Sequence, residues 1–135
     1  MKLIYSISKG CYNLLNLSEE SISIFLGVKD EEKTVKTASF TLEYDEAEYE
    51  YWKDRFAEDP IDAFREAAQK WFDSILYASR EEEVRDMLEF LDKHETELYI
   101  TYYKEKIKKL EKKRATIDKE IEAIRNLIKT LKMGR

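Results

Sequence analysis

The sequence predicts an α+β fold: a small N-terminal antiparallel sheet of about three strands, two or three helices packed on it, and a long C-terminal coiled-coil-like helix. Three patterns support this prediction. Apolar residues alternate over the first 44 residues, recur at helical spacing from Asp45 onward, and follow a heptad repeat from Ile100. We therefore expect an α+β globular domain over residues 1–97 and a helix for oligomerisation or packing over residues 98–133, within one structural unit.

Three N-terminal segments have the composition of β-strands, namely residues 3–7, 21–26 and 35–44. Gly27 and the polar residues after it predict the connection between the second and third strands, so the expected sheet is a three-stranded meander. The segment 11–17 between the first two strands predicts either a short helical turn or a further edge strand. Period two is clearest in the third strand, where one face carries Ala38, Phe40, Leu42 and Tyr44.

Helical spacing begins at Asp45, which forms a capping box with Glu48 and starts a first helix. Asp59 and Pro60 end that helix and start a second, because proline suits the first helical position. The second helix is predicted to reach about Ala78. Its apolar arc is wide, so it needs two covering partners.

A second capping box, Ser79 with Glu82, predicts a third helix. The heptad phase of the following helix does not extend back into it, which predicts a break between His94 and Leu98. The inward face of the third helix is expected to carry Val84, Met87, Leu88 and Leu91.

The C-terminal helix carries a seam with alternating three- and four-residue spacing over nearly five heptads, which is typical of a coiled coil. One helix cannot bury such a stripe by itself, so the partner is either another copy of the chain or the chain's own earlier helices. The oligomerisation residues are Ile100, Tyr103, Ile107, Leu110, Arg114, Ile117, Ile121, Ile124, Ile128 and Leu131.

The charges beside the seam favour a parallel homodimer, since antiparallel pairing would bring like charges together. Isoleucine at the d positions Ile117 and Ile124 leaves higher oligomers open. The three interhelical pairs of a parallel, in-register dimer are opposite in sign: Lys106 with Glu111, Lys113 with Asp118, and Glu120 with Arg125.

Arg114 is the one charged residue within the seam. Three interpretations stay open: a tolerated residue that extends to the edge of the coil, a device that sets register, or a contact to an anionic ligand or acidic partner. Lys113 and Arg114 are accordingly the candidate ligand-binding residues of a phosphate site between subunits.

Acidic and basic residues are unevenly distributed along the chain. Residues 43–97 hold 7 bases and 19 acids, and residues 98–135 hold 12 bases and 5 acids. This asymmetry predicts either a charged partner or contact between the acidic and basic regions. Aromatic residues lie among the acids of the first helix, as in a binder of basic protein surfaces. The candidate partner-binding residues are Glu46, Glu48, Tyr49, Glu50, Trp52 and Asp54.

We expect no enzyme, cofactor or metal site, because one histidine and one cysteine do not favour nucleophilic catalysis or a zinc site. The many carboxylates would suffice for a two-acid hydrolase, but such acids more often form a solvated face. The overall acidity does not favour direct nucleic-acid binding, and no apolar run is long enough to span a membrane. The lone Cys11 excludes an intrachain disulfide, so we expect a cytoplasmic protein, of a cell or of an infected host cell.

The small, acidic and tyrosine-rich composition resembles that of phage anti-defence proteins. This resemblance implies a virus-encoded inhibitor of a host nucleic-acid or defence enzyme. The function expected from the sequence is thus a non-enzymatic homo-oligomeric binding protein whose acidic aromatic face engages a basic protein surface. The alternative is an oligomer that sequesters a phosphorylated small molecule or nucleotide at intersubunit pockets.

Overall fold

The computed structural model describes residues 1–14, 17–74 and 80–134. The chain forms two compact units, Met1–Leu98 and Tyr99–Arg135, and the α+β fold class is confirmed. The elements in chain order are β1 (Lys2–Leu14), β2 (Leu17–Asp30), β3 (Lys33–Glu43), α1 (Glu46–Glu58), α2 (Pro60–Phe72), α3 (Glu81–Lys93) and α4 (Glu95–Met133).

The three strands form an antiparallel meander in the order β1-β2-β3. The first two strands are longer than predicted, because cross-strand pairing runs from Lys2 opposite Lys29 to Leu14 opposite Leu17. The segment 11–17 is therefore strand wherever it is described. The ladder of hydrogen bonds continues beyond the apolar stretch that marked the strand in the sequence.

Gly27 is not part of the connection that the sequence predicted, since it lies inside β2 and pairs with Ile4 and Thr37. A Cβ at Gly27 would come within 3.0 Å of Ile4 Cγ1, so a larger residue would crowd that side chain. The turn between β2 and β3 consists of two residues, and its first, Glu31, has a φ of 57°. The commonest two-residue hairpin turns have a positive φ at their first residue, because the backbone twist of these turns matches the twist of the strands.

One face of the sheet is buried beneath the helices. The side chains of β2 on this face are fully buried, as are most of their neighbours on β3, and α2 and α3 both pack on β3. Burial of each large aliphatic side chain contributes roughly 1.5 to 3 kcal/mol. The core consists mainly of Ile22, Ile24, Leu26, Val28, Phe40, Leu42, Phe56, Ile61, Phe64, Trp71, Val84, Met87 and Leu91.

The helix starts agree with the predicted caps where they are described. The Asp45 carboxylate accepts a hydrogen bond from the Glu48 amide at 3.1 Å, and Asp59 does the same for Asp62. The side chain of Arg80 at the N-cap of α3 makes no capping hydrogen bond. Helix α2 ends at Phe72, with Asp73 as its C-cap and Ser74 in a bend, so the predicted extension of this helix is wrong at residues 73 and 74. Residues 75–78 and the predicted cap Ser79 lie outside the described residues.

The predicted break before the long helix is confirmed. His94 ends α3, and α4 starts at Glu95, earlier than the predicted residue 98. The first turn of α4 lies in the N-terminal unit, and Leu98 is buried there. Arg65 on α2 holds this junction through Asp92 at 2.8 Å and Glu95 at 3.3 Å.

Two residues on β3 test how much of the stability comes from the buried face. Leu42 is 1% exposed and Val35 is 44% exposed. We expect Leu42→Ala to lower the free energy of unfolding by about 2 to 5 kcal/mol, because it removes buried methyl groups and leaves a cavity. Val35→Ala, as the matched control in the same strand, should change it by less than about 1 kcal/mol. Urea unfolding would measure both, and equal losses would contradict the assigned register.

Candidate interaction surfaces

The long helix α4 presents an exposed apolar stripe. At 1.5 Å per residue its 39 residues extend about 58 Å. Its nine apolar seam residues are 41 to 72% exposed in the single chain. A stripe of this length indicates self-association. These residues are Ile100, Tyr103, Ile107, Leu110, Ile117, Ile121, Ile124, Ile128 and Leu131.

The two ends of the stripe differ in chemistry. At the N-terminal end, Tyr103 stacks on Tyr99 with ring centroids 5.8 Å apart and also contacts Tyr102 at 5.7 Å. Toward the C-terminal end, Leu127 lies beside the seam at a g position and is also exposed. The apolar surface is therefore aromatic at its start and wider and aliphatic near its end.

Arg114 interrupts the stripe as an exposed cation. Within the described residues its guanidinium group forms no ion pair, although Glu111 and Asp118 lie one helical turn away on either side. The guanidinium group is therefore exposed to solvent in the single chain, and the three interpretations from the sequence stay open.

The predicted partner-binding residues on the acidic helix α1 fall into two groups. Glu46, Glu50 and Asp54 are exposed. They follow one another at four-residue spacing along the side of the helix that faces away from α2. Within the described residues neither Glu50 nor Asp54 forms an ion pair. These three side chains, here called the acidic flank, remain available to a partner.

The other three predicted partner-binding residues have roles within the fold. Trp52 is 3% exposed and lies in the core, so the prediction that it anchors a partner is wrong, and its indole Nε1 has no acceptor among the described residues. Glu48 pairs with Lys70 on α2. Tyr49 is half-buried, with the ammonium groups of Lys9 and Lys53 5.0 and 5.3 Å from its ring centroid.

The charged residues on the side of α1 that faces α2 form ion pairs with residues of α2. Arg55 lies 3.2 Å from Glu66 and 3.3 Å from Asp62, and the hydroxyl of Tyr51 donates to Glu66. Partial burial acts to lower the pKa of Arg55, but the bonds to Glu66 and Asp62 outweigh it and raise the pKa. The hydrogen bond to Glu66 raises the pKa of Tyr51 as well.

The sheet has a recess of about 420 Å³ that the sequence did not indicate. Its polar lining comes from Ser6, Ser23, Ser39, Thr41 and Arg80, and Arg80 donates a hydrogen bond to the Ser39 hydroxyl. Strand pairing brings these hydroxyl groups together from all three strands, and no local motif marks such a set. Hydroxyl and guanidinium groups can bind anions, but Arg80 already has a partner here.

Among the described residues, no group of three or more His, Cys, Asp or Glu side chains could hold a metal ion. No helix in that part of the chain is long and apolar enough to cross a membrane. Comparison with protein families, curated proteins and solved structures finds no significant match to this chain.

Light scattering tests the role of the stripe. We expect the full chain to have a mass of two or more times 16.2 kDa. Ile117→Lys/Ile124→Lys should be a monomer, because burying lysines in a seam is costly. Ala115→Lys/Ala123→Lys adds the same charge at outer positions and should keep the oligomer. A monomeric wild type would show that the stripe does not join copies of this chain.

Proposed function

We propose that this protein is a non-enzymatic, homo-oligomeric binding protein. The exposed stripe of α4 carries this proposal, because it joins copies of the chain as a parallel coiled-coil dimer or higher oligomer. The acidic flank of α1 then binds a basic protein surface. The composition is in keeping with a virus-encoded inhibitor of a host nucleic-acid or defence enzyme acting in the cytoplasm.

Charge complementarity supports the parallel arrangement. Lys113 of one helix would face Asp118 of the other, and Glu120 would face Arg125, whereas antiparallel pairing brings Glu111 near Asp118. Each exposed pair contributes only about 0.2 to 1 kcal/mol, so the charges select orientation while the apolar stripe supplies most of the stability.

The division of the acids on α1 supports the binding surface. Glu48 is satisfied by Lys70, whereas Glu46, Glu50 and Asp54 repel one another at four-residue spacing. Such like-charge pairs destabilise a helix by about 0.2 to 0.5 kcal/mol each. A basic partner relieves this repulsion, and an oligomer presents several copies of the flank to it, which raises avidity.

Charge reversal on the flank tests the proposed partner. We expect Glu46→Lys/Glu50→Lys/Asp54→Lys to reduce binding of poly-L-lysine, and capture of any partner found with the wild type, by more than tenfold, because attraction becomes repulsion. Glu32→Lys/Asp86→Lys/Glu89→Lys changes the net charge equally at other exposed acids and should bind nearly as the wild type does. Equal losses in both variants would show that only net charge matters.

A second candidate function is favoured by the unpaired guanidinium group of Arg114. In a parallel oligomer, Arg114 and Lys113 of each copy would lie in adjacent positions of the coil and could hold a phosphorylated small molecule or nucleotide. This sequestering function needs no acidic flank.

Arg114→Ile distinguishes the two candidates. Under the first function we expect the variant to raise Tm at equal protein concentration, since an apolar residue replaces a charge in the seam. Inorganic pyrophosphate should then leave the Tm of the wild type unchanged. A pyrophosphate-dependent rise in Tm that Arg114→Ile abolishes would favour the sequestering function instead.

A further inference from the structure

The outer edge of β1 runs beside the helix that carries the acidic flank. Within the described residues β1 pairs with β2 on one side and with no strand on the other. The ring centroids of Tyr5 and Phe56 are 5.6 Å apart, and Lys9 Nζ lies 5.0 Å from the ring centroid of Tyr49. Because later residues of α1 meet earlier residues of β1, the helix follows the strand in the antiparallel direction.

The acidic flank starts beside this edge, because Glu46 lies near Lys9 of β1, and it continues along the side of α1 that faces away from α2. α2 covers the other side of α1, as the pair between Glu48 and Lys70 shows, and α2 packs toward β3 at the far edge of the sheet. The position of Lys9 agrees, since its pKa is raised first by a hydrogen bond to Tyr44 and also by the nearby charge of Glu46.

The apolar side chains of β1 are incompletely covered. On the face that the helices cover, Tyr5 is 39% exposed and Ile7 is half-buried, whereas their partners on β2, Leu26 and Ile24, are fully buried. A strand edge with unpaired backbone groups and half-covered apolar side chains is a template for a further strand. Such a strand would extend the sheet and cover Tyr5 and Ile7.

The spacing of the acids matches the repeat of a strand. Glu46, Glu50 and Asp54 are separated by about 6 Å each along the helix axis. Alternate residues of a β-strand are about 6.6 Å apart. Basic side chains at three alternate positions of an added strand would therefore repeat at nearly the same interval as the three acids.

We propose that an extended basic segment of a partner protein adds to the outer edge of β1 as a fourth strand, with lysine or arginine at alternate positions facing Glu46, Glu50 and Asp54. This inference rests on the proposed function, because it specifies what the acidic flank binds. Backbone pairing provides affinity and the alternating cations provide specificity. A second copy of β1 fits poorly, since its only bases, Lys2 and Lys9, are seven positions apart.

Labelled peptides and fluorescence anisotropy with the full chain test the inference. The probe peptide has three lysines at alternate positions with valine between them, and its comparator has the same composition with the lysines contiguous. Two further probes have the alternating sequence with methylated backbone nitrogens. One is methylated at the lysines and the other at the valines between them. We expect the alternating probe to bind at least tenfold more tightly than the comparator. Of the two N-methylated probes, the one whose methyl groups replace the amide hydrogens that face β1 should bind at least tenfold more weakly, and the other should retain binding.

The protein variants complete the test. Glu50→Lys/Asp54→Lys should weaken binding of the alternating probe at least tenfold, and Asp86→Lys/Glu89→Lys should not. Equal binding of all four probes would overturn strand addition while leaving the acidic flank as a binding surface. No binding of any basic probe, together with unchanged partner capture after charge reversal, would remove both proposals. If Ile117→Lys/Ile124→Lys is still a dimer by light scattering and becomes a monomer when the alternating probe is added, the outer edge of β1 pairs with a second copy of this chain and not with a foreign strand.

Discussion

The burial of one face of the sheet is the constraint on which the N-terminal unit depends. β2 is paired on both sides, so its alternate residues Ile22, Ile24 and Leu26 form a continuous apolar surface that must be covered. Helices α1 to α3 provide that cover, and α2 contributes the widest apolar arc. Residues on the outer arcs of the same helices are then left to solvent or to a partner, which places the acids of α1 at the surface.

The distribution of charge follows from this arrangement. Acids that face another element have a basic partner there, as Glu66 has Arg55 and as Asp92 and Glu95 have Arg65. Burial acts to lower the pKa of Arg65, yet its hydrogen bonds to Glu95 and Asp92 raise it. In the acidic flank, Glu50 and Asp54 form no ion pair among the described residues, so most of its charge is unmatched. A binding protein can keep such repulsion because the partner removes it.

The helix α4 places a different requirement on the protein. Its stripe is far longer than the few residues that join it to the N-terminal unit, and burial of its isoleucines needs a second helix over most of that length. In the proposed oligomer, association and recognition use separate elements. Substitutions in the seam would therefore change how many binding surfaces the oligomer presents, whereas substitutions on α1 would change the affinity of each surface.

The sequence by itself determined the fold class, the caps at Asp45 and Asp59, the break after His94 and the seam of α4, because these depend on neighbours within a few residues. Tertiary structure decided the rest. Strand pairing extended β1 to Leu14 and placed Gly27 inside β2, which local pattern could not show. Trp52 and Glu50 share one acidic aromatic helix, but only the packing of α1 on the sheet and on α2 buries the first and exposes the second. Periodicity locates an apolar face, whereas the elements that pack against a helix determine which neighbouring residues remain available to a partner.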